Sequence, residues 1–343
     1  MKVIPKRKSR LHGQKGTTMA FFLMMASFLF GMTAISVDVG HLYLVRAELN
    51  NAAVSASLAG AAYLYPTDDD GQPNWSLAEE KALEAISWNS ADGSVLMGGT
   101  IETGYWDLTG EEPGIRDPGI VPDPGADDLP AVRVVISRSS GNNGGPVPLY
   151  FSSFVGVSSK DVSAESVAGA GSPRSVEEGT LFPMALPSSL YNEYWDFDSQ
   201  KPAIDPSTGE PFIFEIAAKD DGLHGQWTAF EENVNDVQSI TDLIESGNPT
   251  QLSIGQEIYV VPGVKTSIYN NVPSDVEVTV AILGDTETGG LKEVVGFGTL
   301  HIHYSSGGND KSITVSLTNN LKTLGGSPGG YYYGTYVPPK LVR

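Results

Sequence analysis

The chain has no cysteine among its 343 residues, which excludes disulfide bonds, thiolate metal sites and cysteine nucleophiles. Histidine is scarce as well, and of the five, His12 and His41 flank a long apolar run, so a Ser-His-Asp triad would have to use His224, His301 or His303. No Gly-x-Ser-x-Gly elbow, His-Glu-x-x-His motif or phosphate-binding loop occurs. We therefore expect neither an enzyme nor a bound cofactor, and we assign no catalytic residue.

Charge is also absent from the 22 residues between Lys15 and Asp38. As a helix this run would be about 33 Å long, enough to cross a hydrocarbon core of about 30 Å. The charged residues that precede it are all basic: Lys2, Lys6, Arg7, Lys8, Arg10 and Lys15. Since basic flanks stay in the cytoplasm, we predict a cytoplasmic leader (1–16), one transmembrane helix (17–37) in the inner membrane, and a body outside the cytoplasm.

Two other interpretations of the apolar run are a buried helix of a soluble protein, which the basic flank argues against, and a cleaved signal peptide. A cleaved signal peptide has an apolar region of about 7–15 residues, shorter than this one. Ala34 and Ser36 have the small-x-small spacing that signal peptidase accepts, so cleavage after Ser36 stays an alternative. Length favours a retained anchor.

The body is strongly acidic. Residues 38–343 contain 15 basic and 41 acidic residues, a net charge of −26. Such a charge repels nucleic acid and anionic lipid headgroups, so we expect neither as a partner of the body.

The apolar helix is predicted to continue through 38–65 until Pro66 ends it. Apolar residues follow this segment at alternating spacings of three and four, which defines one helical stripe, and Gly60 forms a small-xxx-small pair with Ala56. The stripe consists of Leu42, Val45, Leu49, Ala52, Ala56, Ala59 and Tyr63. It packs either on the protein's own domain or on helices of other subunits, and the sequence favours the first alternative only slightly.

The segment VDVGHLYLVRAELNNAAVSASLAGA resembles the N-terminal signature of TadE/TadG-like Flp pilus-assembly proteins of the tight-adherence system. The matching positions are Asp38, Gly40, Arg46, Leu49, Asn51, Ala52, Ala53, Leu58, Ala59, Gly60 and Ala61. Weaker resemblances follow in 129–170, and GQWTAF and IGQEIYVVPG are similar to the TadG type. The resemblance implies a structural component of a type IVb pilus or a related secretion system, with other Tad assembly proteins or pilin subunits as partners.

One departure from the pilins of that system matters. They are cleaved after a glycine and carry Glu at the fifth mature position, whereas cleavage after Gly16 would put Phe21 there. The apolar run contains no Glu at all. We therefore favour an unprocessed, TadG-like anchor over a pilin.

The remaining sequence predicts an α+β fold. Ser76–Ala91 is predicted as a helix with a Ser76/Glu79 capping box, and 101–105, 131–138 and 162–168 as strands of an extracytoplasmic α+β domain (66–168). A linker (169–180) leads to a mostly β domain (181–324) and a Gly/Tyr-rich tail (325–343) that we expect to be flexible. The second domain is predicted to hold strands 212–217, 257–261, 276–283, 293–304 and 312–317 and a helix, 236–246.

Candidate binding residues are few. His301 and His303 share one face of a strand, but nothing completes a metal site, so we interpret them as surface residues. Asp68–Gly71 lacks the ligand spacing of a calcium loop, and Asp205-Pro-Ser207-Thr-Gly209 lacks the second serine of a von Willebrand A metal site. Asp38 is the ionisable residue that we single out, together with Gly40: it marks the membrane exit or contacts a basic group of a partner. We predict no metal.

Two functional hypotheses follow. The first is a membrane-anchored assembly component that acts by protein–protein contacts. The alternative is a secreted or pilus-associated adhesin or binding module. An exported hydrolase is disfavoured by the missing motifs.

Overall fold

The computed structural model describes residues 17–65, 72–121, 124–217, 226–234, 236–261, 266–284, 290–307, 311–319 and 321–342. Several predictions concern other residues: the basic leader, Pro66, Asp68–Gly71 and His224 lie outside the described part of the chain. Within it, a long N-terminal helix precedes a strand-rich region with a few short helices, so the predicted α+β class is confirmed.

Five helices and twelve strands of the two large sheets are labelled here in chain order. The helices are α1 (Thr17–Ala61), α2 (Trp75–Ser87), α3 (Ser188–Glu193), α4 (Val237–Ser246) and α5 (Thr266–Tyr269). The strands are β1 (Thr100–Asp107), β2 (Ile115–Arg116), β3 (Asp128–Arg138), β4 (Val162–Gly169), β5 (Leu181–Pro187), β6 (Ile213–Ala217), β7 (Gln226–Phe230), β8 (Glu257–Val261), β9 (Val276–Leu283), β10 (Gly290–Ser306), β11 (Ser312–Leu317) and β12 (Lys340–Leu341).

Helix α1 is 45 residues long, about 68 Å at 1.5 Å per residue. No residue from Thr18 to Val37 is buried by the rest of the chain, whereas one face of the second half is. The helix ends at Ala61, earlier than predicted, and Tyr63 and Leu64 continue as tight turns that donate to Gly60 and Ala61. Both halves thus belong to one uninterrupted rod.

The N-terminal sheet is antiparallel, in the order β12-β4-β3-β1-β2. Val132, Val134 and Ile136 alternate along β3 and are buried in a core shared with α1 and α2. The opposite side of β3 carries Arg133, whose guanidinium bonds Glu102 at 2.7 Å and Glu165 at 2.9 Å on the neighbouring strands. One face of the sheet is therefore exposed to solvent, and the other is covered by α1 and α2.

Helix α2 begins earlier than the predicted capping box indicated. Its N-cap is Asn74, whose Oδ1 accepts the backbone N–H of Leu77 at 3.0 Å. The prediction of Ser76 as the cap is wrong because Asn is as good a cap and stands just before the first turn. The helix ends at Ser87, since the Asp92-Gly93 turn folds Ser90–Ala91 and Ser94–Val95 into a small hairpin.

The C-terminal sheet closes on itself. Its order is β6-β11-β10-β8-β7-β5-β9, and the long strand β10 also pairs with β9, which joins β10, β8, β7, β5 and β9 into a ring. All pairs are antiparallel except β5 with β9. Gly296 and Gly298 on β10 leave room for two aromatic rings, since a Cβ would collide with Tyr333 and Tyr191 respectively.

The tail is packed, so the expectation of a flexible tail is wrong. Tyr336 and Val337 are buried, and Tyr333 forms a bridge with Gly298 of the barrel. Farther on, β12 pairs with β4 of the N-terminal sheet, so the tail connects both units. The 169–180 segment is also held in place, since Ser175 and Val176 are buried and pair with Leu252–Ser253.

Candidate membrane-proximal site

The site lies where α1 passes from its exposed half to its packed half. Asp38 follows the predicted span by one residue and is 2% exposed. Its carboxylate accepts four backbone or side-chain donors from a loop more than 110 residues away. The Asp38 carboxylate is therefore bound by a loop of its own chain, and the predicted contact with a basic group of a partner stays a prediction.

The donors come from three consecutive residues. Tyr150 N lies 2.8 Å from Oδ1, Ser152 N and Ser152 Oγ lie 2.6 Å from Oδ2, and Phe151 N lies 3.2 Å from both oxygens. These N–H groups open a short 3₁₀ turn, Ser152–Val155, whose free donors a carboxylate caps well. Burial raises the pKa of Asp38, but the bonds from Ser152, Phe151 and Tyr150 outweigh it and lower that pKa to about 2. Asp38 is thus a carboxylate that holds a loop.

We define the aromatic loop as residues 149–158. It is the tip of a hairpin whose arms, Val147–Pro148 and Ser159–Lys160, are paired and are bridged again by Leu149 N to Ser158 O at 2.9 Å. Four large side chains of the loop are exposed, although the Tyr150 ring also lies 5.0 Å from the His41 ring of α1: Tyr150, Phe151, Phe154 and Val157. Phe154 is 86% exposed.

A polar cluster beside the loop connects α1 to the sheet. His41 Nε2 lies 3.0 Å from Asp92 Oδ1, and Arg138 Nη1 donates to Asp92 Oδ2 at 3.0 Å. Arg138 is buried and also donates to the carbonyls of Ala91 and Gly145, both at 3.1 Å. Glu48 of α1 accepts from Asp92 N at 2.7 Å. The corner is therefore fixed by charge-assisted hydrogen bonds, which are stronger than neutral ones.

The predicted stripe of α1 packs on the protein's own N-terminal unit. Val45, Leu49, Ala52 and Ala56 are fully buried there, and Leu42 and Ala59 pack against the same core. Gly60 is buried where α1 crosses α2, and a Cβ on it would lie 2.8 Å from Ala78 O. Tyr63 is exposed. For these buried residues, the structure therefore shows packing on the protein's own domain rather than on helices of other subunits.

The other candidates occupy turns or the surface. His303 Nε2 lies 3.0 Å from Ser316 Oγ, and burial together with the neighbouring His301 lowers its pKa. Asp205 bonds the backbone and hydroxyl of Ser207 within an exposed turn. In the part of the chain that the structure describes, no group of three or more His, Asp or Glu residues could hold a metal ion. Gly40 is exposed, with open space around it.

Sequence reasoning missed Asp92, Arg138 and Ser152. The Asp-Gly pair at 92–93 and the Gly-Asn-Asn-Gly-Gly turn at 141–145 signalled two hairpins near this corner, but not that they would meet α1. The sequence did contain one signal for the aromatic loop: the 21 residues from Ser139 to Ser159 carry no charge and include three aromatic residues.

A folded α+β body on a long apolar rod defines a membrane-anchored protein, and one described helix is long and apolar enough to span a bilayer. A family model for Flp pilus-assembly proteins of TadE/G-like type matches residues 16–62, and a model for Tad-like Flp pilus-assembly proteins matches residues 59–168. These two matches cover residues 16–168 and support a TadE/TadG-like protein. No curated protein and no solved structure matches it. The first match ends one residue past α1, and the second covers α2 and strands β1 to β4 except Gly169.

Proposed function

We propose that this protein is a single-pass anchor in the inner membrane that positions an extracytoplasmic body for contacts with other Tad assembly proteins or pilin subunits. The supporting observation is the continuity of α1, whose first half is exposed and apolar and whose second half is a core element of the body. A partner that moves or contacts the body therefore acts on the membrane helix through a stiff connection.

The family motif within α1 divides into two faces. Leu49, Ala52 and Ala53 are buried in the protein's own core, whereas Arg46 and Asn51 are exposed. The exposed side continues through Ala47, Asn50 and Ser55, all small or polar. Small residues let another helix approach closely. We propose this side of α1 as the partner contact, in place of the buried stripe.

The orientation follows from the charges. Six basic residues precede the span, whereas Arg46 is the only basic residue within 20 residues after it, which favours a cytoplasmic N-terminus. Protease digestion of intact spheroplasts tests this: the body should be degraded and a fragment of the span protected. Protection of the whole chain would contradict the proposed orientation.

Site-specific photocrosslinking tests the partner surface. A photoreactive residue at Asn51 should yield adducts that mass spectrometry identifies as pilin or another Tad protein. The matched control is Ile120, which is also exposed to solvent but lies in the connection between β2 and β3 rather than on α1. Equal adducts at both positions, or none at Asn51 in piliated cells, would rule this surface out.

A second candidate, an adhesin or binding module, is favoured by a cleft at the end of the body remote from Asp38. The cleft measures about 590 Å³ and combines aromatic walls with the carboxylates of Asp128 and Asp198. Its aromatic residues are Tyr65, Trp75, Tyr105, Phe197, Tyr331 and Tyr332. Binding of soluble oligosaccharides that is lost in Phe197→Ala and kept in Trp88→Ala, an exposed tryptophan outside the cleft, would support it.

A further inference from the structure

The apolar surface of α1 does not stop at Asp38. Val39, Tyr43 and Leu44 beyond it are exposed, and the first exposed charge on the outer part of the helix is Arg46. Asp38 itself is enclosed by the aromatic loop. The uncovered apolar surface therefore runs from Met19 to Leu44, about 38 Å along the axis, which exceeds a hydrocarbon core of about 30 Å and reaches into the headgroup layer.

The position of the aromatic loop along the α1 axis gives its depth relative to the bilayer. Asp38 is 21 residues beyond Thr17, so the loop that it binds sits about 32 Å along the helix from the start of the span. With the span starting at Thr17 as predicted, this distance matches the outer boundary of a hydrocarbon core of about 30 Å. The four exposed side chains of the loop are aromatic or branched, and tyrosine and other amphipathic aromatic residues are enriched at that depth.

The backbone of the loop suits a water-poor layer. A polar group that enters such a layer needs a partner within the protein. Asp38 accepts the N–H groups of residues 150–152, and Phe154 N, Gly156 N and Val157 N bond carbonyls of the same loop at 3.1–3.2 Å. No charged residue occurs between Arg138 and Lys160. The loop can therefore enter the interface without exposing unpaired donors at these positions.

We propose that the aromatic loop inserts Tyr150, Phe151, Phe154 and Val157 into the outer interface of the bilayer that α1 spans. The loop is a second, non-spanning membrane contact, and Asp38 is the positioning residue that holds it beside the helix. Two contacts fix the rotation of the body about the α1 axis, which one helix alone leaves free. The inference rests on the membrane span of the proposed function, not on its pilus role.

The absence of cysteine permits a direct test on the full chain, since each introduced cysteine is the only one to label. Nitroxide labels are placed in Phe154→Cys, in Leu29→Cys within the span, and in Ile120→Cys, which is 78% exposed on the body. The proteins are reconstituted in nanodiscs of phosphatidylethanolamine and phosphatidylglycerol, one chain per disc. Relaxation by oxygen and by a water-soluble nickel chelate is then compared.

We expect the label at 154 to lose relaxation by nickel and to gain relaxation by oxygen, as at 29, while the label at 120 behaves oppositely. Nickel access at 154 equal to that at 120 overturns the inference. Protection from both reagents at 154 also overturns it, because it indicates a protein contact. If the label at 29 is water-accessible, the membrane span itself fails, which separates that outcome from failure of the loop alone.

The positioning role of Asp38 has its own readout. In Asp38→Ala the label at 154 should become more mobile and more accessible to nickel, because the three N–H groups lose their acceptor, while the label at 120 is unchanged. An unchanged spectrum at 154 would remove Asp38 from the proposal. Asp107→Ala, which removes a carboxylate that binds the N–H groups of Thr109 and Glu112 in the turn after β1 and not the aromatic loop, is the matched control.

Discussion

The two halves of α1 are similar in length and largely apolar, yet they differ in how far the rest of the chain buries them. Residues Thr18–Val37 contact almost nothing of their own protein, whereas Asp38–Ala61 is packed on one face by the sheet and by α2. In the first half, large apolar side chains occur on all sides of the helix axis. In the second half, the apolar residues form one stripe, and they become smaller toward its end. Apolar content alone thus does not distinguish a membrane helix from a core helix, but its distribution around the axis does.

The largest difference in stability between the two halves is expected when a core residue of the second half is truncated. Leu49→Ala should lower the free energy of unfolding of the body by about 2–5 kcal/mol, because Leu49 is fully buried and leaves a cavity. Leu29→Ala removes the same atoms from the exposed half and should change it by less than about 0.5 kcal/mol. Urea unfolding followed by tryptophan fluorescence measures both. Equal losses would mean that the first half also packs on the body.

Arg138 tests the corner between the halves. Arg138→Met should cost about 1.5–3 kcal/mol, because Asp92 loses its buried charged donor and three carbonyls lose theirs. The control is Arg174→Met, which removes an exposed ion pair with Asp127 worth about 0–1 kcal/mol. The same unfolding assay applies, and a cost no greater than that of the control would show that the cluster does not hold α1.

Adding one methyl group at Gly60 and at Gly40 compares a buried with an exposed position of the same helix. Gly60→Ala should destabilise the body by about 1–3 kcal/mol, since its Cβ meets Ala78 O and Val132 at the crossing with α2. Gly40→Ala, in open space on the same helix, should gain up to about 1 kcal/mol from helix propensity. Opposite signs in thermal unfolding are expected, and two gains would indicate that the crossing is loose.

Much of the fold could be predicted from local sequence. Strands β8, β9 and β11 have the predicted bounds, and α4 differs by one residue because Asp236 is its N-cap. Strand β5 was missed because it contains Pro183, which normally argues against a strand. Here the register shifts between Leu181 and Ala185, so the proline stands at a bulge where no ladder donor is needed.

The site could be predicted only in part. Asp38 was singled out because a carboxylate at a membrane boundary is costly, but its acceptor role depends on a loop 112 residues farther along. Nothing local in either segment specifies that meeting. It results from the pairing of β3 with β4, whose connection contains the loop, and from the packing of α1 across both strands. Long-range contacts of this kind follow from topology rather than from a motif.

The smallest expected effect is the pH dependence contributed by Asp38. Its pKa in the folded protein is about 2, below the ordinary 3.8, so its stabilising contribution is present above about pH 4 and is lost as the pH falls toward 2. Asp38→Asn should therefore reduce the drop in urea midpoint between about pH 5 and pH 2. Asp107→Asn should reduce it too, because Thr109 and the N–H of Glu112 lower the pKa of Asp107 to about 2. Only Asp38→Asn should speed amide exchange at residues 150–152 at neutral pH, and faster exchange there in both variants would mean that the loop is not held by Asp38.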